Sequence, residues 1–226
     1  MKNTLVSVLE KFLRLCANVL FSHDPFSKIL THATLETFTA YARPYTEKYP
    51  LPLPHVYVLY FYRDPFVQNA IHAAKYRNRK DLCILFGELL WHTFGEELSH
   101  QSIMLGTPWV VVPIPLSKQH RRVRGYNQTE KIAEGFLKYT DASAFTLLNE
   151  ALCMASAHKK QTHAIRKSER IHNIVDSFTL PDSNLVRGKN ILLIDDVLTT
   201  GATLQEASRT LRAGGARHIY CLVIAH

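Results

Sequence analysis

Cysteine is scarce in this chain of 226 residues: four, at Cys16, Cys83, Cys153 and Cys221, with no C-x-x-C pair. That excludes a disulfide framework and a paired-thiol zinc knuckle, and it fits reduced thiols in a cytosolic protein. No G-x-x-x-x-G-K-[ST] and no G-x-G-x-x-G occurs, which removes the P-loop NTPases and the dinucleotide-binding fingerprint. There is no internal repeat and no low-complexity tract. The most apolar stretch, "LVSVLEKFLRLCANVLF", is interrupted by Glu10, Lys11 and Arg14, so it is too short for a membrane span and is not built as a signal peptide. Its Leu5, Val8, Leu9, Phe12, Leu15 and Val19 recur at helical spacing, which predicts an amphipathic helix packed on the body.

What remains is ordinary globular composition: 46% hydrophobic and 20% charged residues argue against extensive disorder, and the length suits one main domain. The net charge of +8 points to an anionic partner, whether nucleotide, sugar phosphate or nucleic acid. Four prolines in "PYTEKYPLPLP" interrupt regular structure between Pro44 and Pro54 and divide a helical N-terminal extension, 1–54, from a main domain, 55–226. In that domain "HVYVLYFY", "WVVVPIP", "NILLID" and "HIYCLVIA" read as strands. "FVQNAIHAAKYRNRKDLCILFGELLWHTFGEEL" reads as one or two helices broken near its basic centre, and "TEKIAEGFLKY" and "ATLQEASRTLRA" as further helices. Strands alternating with helices at these lengths predict an α/β fold: a mostly parallel open sheet flanked by helices.

"ILLIDDVLTTGATL", residues 191–204, carries the chemistry. Asp195 and Asp196 fall at the carboxyl end of a buried strand, where open parallel sheets bind ligands. The turn into the next helix supplies unpaired N–H groups and a dipole that favours an anion. Thr199, Thr200 and Thr203 add hydroxyl donors, Gly201 permits an unusual backbone conformation, and Ala202 leaves room for close approach. Carboxylates beside a phosphate make sense when they face neutral hydroxyls of the same ligand. A ribose 5-phosphate meets that requirement, with its phosphate in the loop and its hydroxyls on the acids. A solvated helix cap would explain one Asp and one Thr, but not the whole run.

The same stretch resembles the PRPP (5-phosphoribosyl 1-pyrophosphate) motif of type I phosphoribosyltransferases. "VVVPIPLSKQHRRVRGYNQTEKIAEGF", "IHAAKYRNRKDLCILFGELL" and "KKQTHAIRKSERIHNIVDSFTL" resemble, in order, segments of the ComF/GntX family, so the resemblance covers roughly residues 56–226. It implies a type I phosphoribosyltransferase-like core that binds PRPP with Mg2+ carried mainly by the ligand, and pyrophosphate leaving from C1. It also implies an unknown acceptor and a link to DNA uptake in natural competence. Carried over by position, it places ribose contacts on Asp195 and Asp196 and 5′-phosphate contacts on Thr199 to Thr203. Pyrophosphate contacts fall on Ser117 and Lys118, with Arg124 beside them and Lys167 and Arg170 in a loop, Lys159 to Arg170, that would fold over the site.

Family members usually begin with a four-cysteine zinc module. Here Cys16, His23 and His32 make at best an irregular three ligands, so no metal is expected there. Each arginine of "HRRVRGYNQTEK" has a bland alternative as a solvated basic face, while Asn127 and Gln128 could cap a helix or orient a loop. Lys75, Arg77, Arg79 and Lys80 surround Tyr76, a pattern that could hold single-stranded DNA but is also that of a helix terminus. Two non-enzymatic readings therefore stand beside the transferase: a PRPP sensor without turnover, and a single-stranded DNA binder.

Overall fold

The computed structural model describes residues 26–46, 51–155 and 176–226. Its centre is a five-stranded sheet built from β1 (Val56–Tyr60), β2 (Trp109–Pro113), β3 (Phe145–Leu147), β6 (Asn190–Val197) and β7 (His218–Ala225). The order is β1-β7-β6-β2-β3 and every neighbouring pair runs parallel. A separate antiparallel pair, β4 (Cys153–Met154) and β5 (Phe178–Thr179), lies apart from it. This is the predicted α/β architecture.

The apolar run of β6 is buried on both faces because helices cover both. Leu192 and Ile194 join Trp109, Val111, Leu222 and Ile224 in one core with α3 (Pro65–Tyr76), α4 (Lys80–Leu105) and α6 (Gln128–Leu137). Ile191 and Leu193 join Val110, Val112, Cys221 and Val223 in a second core under α7 (Ala202–Ala213). The period of two along each strand assigns alternate residues to opposite layers. On α7, Leu204, Ala207, Ser208 and Leu211 are all buried, as their helical spacing predicts.

The long helical stretch is two helices. Asp64 caps α3, accepting from the N–H of Phe66 at 2.8 Å and of Val67 at 3.2 Å, with Pro65 in the first turn. The chain breaks at Arg77–Arg79, where Asn78 takes φ 54°, a conformation asparagine tolerates better than most residues. α4 and α6 approach to backbone contact: a Cβ on Gly87 would lie 2.0 Å from the Ile132 carbonyl oxygen, and one on Gly135 2.1 Å from that of Ile84.

Of the predicted extension, α1 (Ser27–Thr31) and α2 (Leu35–Tyr41) are described. They share the main core: Phe38 is fully buried, with its ring centroid 5.0 Å from Phe66 and 5.4 Å from Phe86. The helix expected over Leu5 to Val19 lies outside the described residues, as do Cys16 and His23. Among the described residues no helix is long and apolar enough to cross a membrane, and no cluster of three or more His, Cys, Asp or Glu could hold a metal.

Candidate functional site

From β6 the chain passes through α7 to β7 on one side, and from β2 through two helices to β3 on the other, so connections diverge between β2 and β6. Such a switch point leaves a crevice beyond the strand ends. Here it is a cavity of about 360 Å³. Pro113 and Pro115 cannot extend the sheet as donors, and β2 ends between them. The Ile114 N–H still bonds the Ile194 carbonyl at 2.9 Å. The Ile114 carbonyl accepts from Thr129 Oγ1 at 2.6 Å and Asn127 Nδ2 at 3.1 Å, which fixes the turn against the start of α6.

Beyond that turn Ser117 caps a short helix, α5 (Lys118–Arg124), its Oγ accepting from the His120 N–H at 3.2 Å. Arg124 donates to Gln128 Oε1 at 2.9 Å and lies 5.4 Å from the centroid of the Tyr76 ring. Gln128, buried on the cavity wall, has a side-chain NH2 without a hydrogen-bond partner among the described residues. An orphaned donor of this kind costs stability unless something else accepts from it.

On the opposite wall the acids divide between layers. By strand alternation Asp195 continues the Ile191, Leu193 face and Asp196 the Leu192, Ile194 face. Asp196 Oδ1 meets Lys75 Nζ at 2.9 Å, both side chains being largely buried. Asp195 Oδ1 accepts from the Asp196 N–H at 2.8 Å. Burial first, and the Asp196 charge second, push the Asp195 carboxyl up to about 7, with the Asp196 N–H and Lys75 acting in the opposite direction.

Between strand and helix, Gly201 adopts φ +79° as the residue preceding α7, and a Cβ there would stand 2.6 Å from Pro52 Cγ. Segment 51–54 thus backs the loop, and Gln205 Nε2 also donates to the Pro52 carbonyl at 3.2 Å. Thr199 and Thr200 are exposed, and Thr200 Oγ1 accepts from the Ala202 N–H at 3.4 Å.

Of the residues singled out in the sequence, Asp195, Asp196, Thr203, Ser117 and Arg124 line the cavity together. Thr200, Gly201 and Ala202 form the loop beside it without contributing to its wall, Thr199 lines a second cavity, and Lys118 is exposed and off the wall. Lys167 and Arg170 lie outside the described residues. Met154 and Phe178, paired between β4 and β5, stand on the cavity wall. Lys75 and His120 are wall residues with no role in this site foreseen from sequence. For Lys75 the only signal was a basic cluster at a helix end, and its neighbour Arg79 is engaged instead by Asp81 and the Leu30 carbonyl.

An open parallel sheet with an acid pair and a threonine loop at its switch point is the arrangement of a type I phosphoribosyltransferase-like protein. The Phosphoribosyl transferase domain family matches residues 143–226, which contain both acids and the loop. The competence protein ComFC of Bacillus subtilis is 31% identical over 157 residues, covering 70% of this chain and 58% of its own length. Competence protein F of Haemophilus influenzae is 28% identical, covering 51% and 49%, and the DNA utilization protein YhgH of Escherichia coli 26% identical, covering 70% and 67%. The chain therefore spans about half to two thirds of these relatives. It resembles the ComF proteins of competence and DNA utilization over that span.

Proposed function

We propose that the switch-point cavity binds PRPP and that the protein transfers its phosphoribosyl group to an acceptor with release of pyrophosphate. The observation that carries this reading is the convergence of Asp195, Asp196 and Thr203 with Ser117, Arg124 and Lys75 around one cavity. Acids suited to ribose hydroxyls and donors suited to phosphate oxygens meet at a single crevice.

In this reading the two aspartates accept hydrogen bonds from the ribose hydroxyls, and the N-terminus of α7 with Thr203 receives the 5-phosphate. Arg124 and the unpartnered Gln128 amide face the leaving diphosphate. Cleavage at C1 leaves positive charge on the sugar, so the protein's contribution is placement and fixed charge rather than a covalent nucleophile. Two carboxylates without a third ligand fit Mg2+ that arrives mainly on PRPP oxygens, where it would neutralise the departing anion. The names of the curated relatives support a place in competence or DNA utilization.

Calorimetric titration with PRPP and Mg2+ tests the reading: saturable binding is expected, abolished by Asp195→Asn with Asp196→Asn in a protein that still melts cooperatively. Absence of binding by the unaltered protein would remove it. A sensor without turnover is the second reading, favoured by the Lys75–Asp196 pair, which PRPP must open and which would couple occupancy to the end of α3. Binding without pyrophosphate release across a panel of acceptors would select it.

A further inference from the structure

A second cavity, of about 380 Å³, opens at the same edge of the sheet on the far side of the β6–α7 loop. Its wall is built from residues that directly follow three parallel strands: Phe61, Tyr62 and Arg63 after β1, His226 after β7, and Thr199 after β6, with Tyr45 closing the ring. This is again the carboxyl edge, where sheets of this type place ligands.

The wall is held by its own bonds. The Tyr62 N–H donates to the His226 carbonyl at 2.8 Å, the His226 N–H to the Tyr60 carbonyl at 3.1 Å, and the Leu198 N–H to the Ala225 carbonyl at 2.9 Å. His226 Nδ1 lies 2.8 Å from the Leu198 carbonyl oxygen, which can only accept, so that nitrogen carries the proton. Tyr45 stands 4.9 Å from Phe61 and 5.6 Å from the His226 ring, and Arg43 lies 4.4 Å over Phe61. These aromatic surfaces are fixed before any ligand arrives.

The charge is one-sided. Arg63 is exposed and, among the described residues, has no hydrogen-bond or ion-pair partner. Among the described residues no acidic side chain lines the cavity. The neighbouring Asp64 carboxylate is already taken by the N–H groups of Phe66, Val67 and Arg43, the last at 2.9 Å. A volume near the lower end of the range for small-molecule sites, roughly 300 to 1,000 Å³, suits a compact ring system.

We infer that this cavity is a binding site for a small planar aromatic anion, stacked among Tyr45, Phe61 and Tyr62 with its negative group on Arg63. Because Leu198 and Thr199 belong both to its wall and to the loop that follows Asp195–Asp196, an occupant and PRPP bind with mutual influence. The binding claim stands on the cavity alone; the coupling rests on the PRPP reading.

Anthranilate, which is aromatic, anionic and fluorescent, is the probe. Saturable binding is expected, with cyclohexanecarboxylate and aniline, which lack the aromatic face and the charge respectively, each at least about tenfold weaker. Arg63→Gln, at an exposed position, should weaken anthranilate by at least about tenfold while leaving the melting temperature and PRPP–Mg2+ binding unchanged. No saturation below about 10 mM, a concentration worth under 3 kcal/mol of affinity, would overturn the site, as would equal binding by Arg63→Gln. Anthranilate binding with no PRPP binding would sink the PRPP reading and the coupling but leave the site standing. Binding of both ligands with identical affinities alone and together would refute the coupling only.

Discussion

β6 and β7 are adjacent parallel strands of eight residues each, and their burial runs in opposite senses. β6 is fully buried from Asn190 to Ile194 and opens at Asp195, Asp196 and Val197, whereas β7 starts partly exposed and is closed from Cys221 to Ala225. Asp195 and Val223 are partners in register, so a carboxylate and an isopropyl group occupy equivalent heights in one sheet. The difference comes from what lies beyond each strand. Past β7, the Leu198 N–H and the Tyr62 N–H bond the Ala225 and His226 carbonyls, so the second cavity begins only beyond a strand end that is already bonded. Past β6 there is a cavity. A parallel sheet can thus carry ionisable groups at one strand end and exclude them one strand over, and its connections decide which.

The sharpest way to break this comparison is Val223→Asp. At a position with no exposure and no partner, the charge should cost at least about 4 kcal/mol, and urea denaturation should show a chain that is largely unfolded without denaturant. Gly201→Val comes next. The left-handed conformation and the clash with Pro52 together should cost about 2 to 4 kcal/mol by the same measurement, with PRPP binding lost as the loop shifts.

Asp195→Asn should instead stabilise. Its folded carboxyl is raised above the ordinary value, so ionising it penalises the folded state: stability is full below about pH 4 and falls as pH rises towards about 7. The asparagine should therefore gain about 1 to 3 kcal/mol at pH 8 and nothing at pH 4, read from chemical denaturation at the two pH values. The smallest effect is expected of Lys75→Gln, which removes the 2.9 Å partner of Asp196 and leaves two neighbouring carboxylates unneutralised. A loss of about 1 kcal/mol at pH 8, read from the same denaturation, would match a largely buried pair that keeps some access to water.

Four of the five strands of the main sheet, both long helices and the α7 face were legible in the sequence because each rests on local periodicity and local breakers, whereas β3, β4 and β5, of two or three residues each, are too short to carry a period. Ile191 to Ile194 can be nothing but a strand buried on both sides, and Gly214–Gly215 ends α7 where the pattern ends. The acid pair and its loop were legible for the same reason, being contiguous. What composes the rest of the cavity was not. Lys75 reaches Asp196 across 121 positions of chain, and Thr129 and Asn127 act by holding the Ile114 carbonyl, an atom that sequence does not mark. Ser117 illustrates the limit from the other side. Its position on the wall was anticipated, yet its hydroxyl also accepts from the His120 N–H to cap α5, which leaves its own O–H to offer a ligand.

The contact between Gly87 and Gly135 gives the cavity a hidden dimension. The residues that hold the Ile114 turn and present the unpartnered amide all sit at the first turn of α6, and the depth at which that helix lies is set where two backbones touch without side chains between them. A single methyl group introduced there would act as a wedge on a lever, displacing the far end of the rod while leaving every group around the ligand chemically intact. The tolerance of the site is therefore fixed at a fulcrum it does not contain, and losses of function that map to neither charge nor hydrogen bond should be sought at that crossing first.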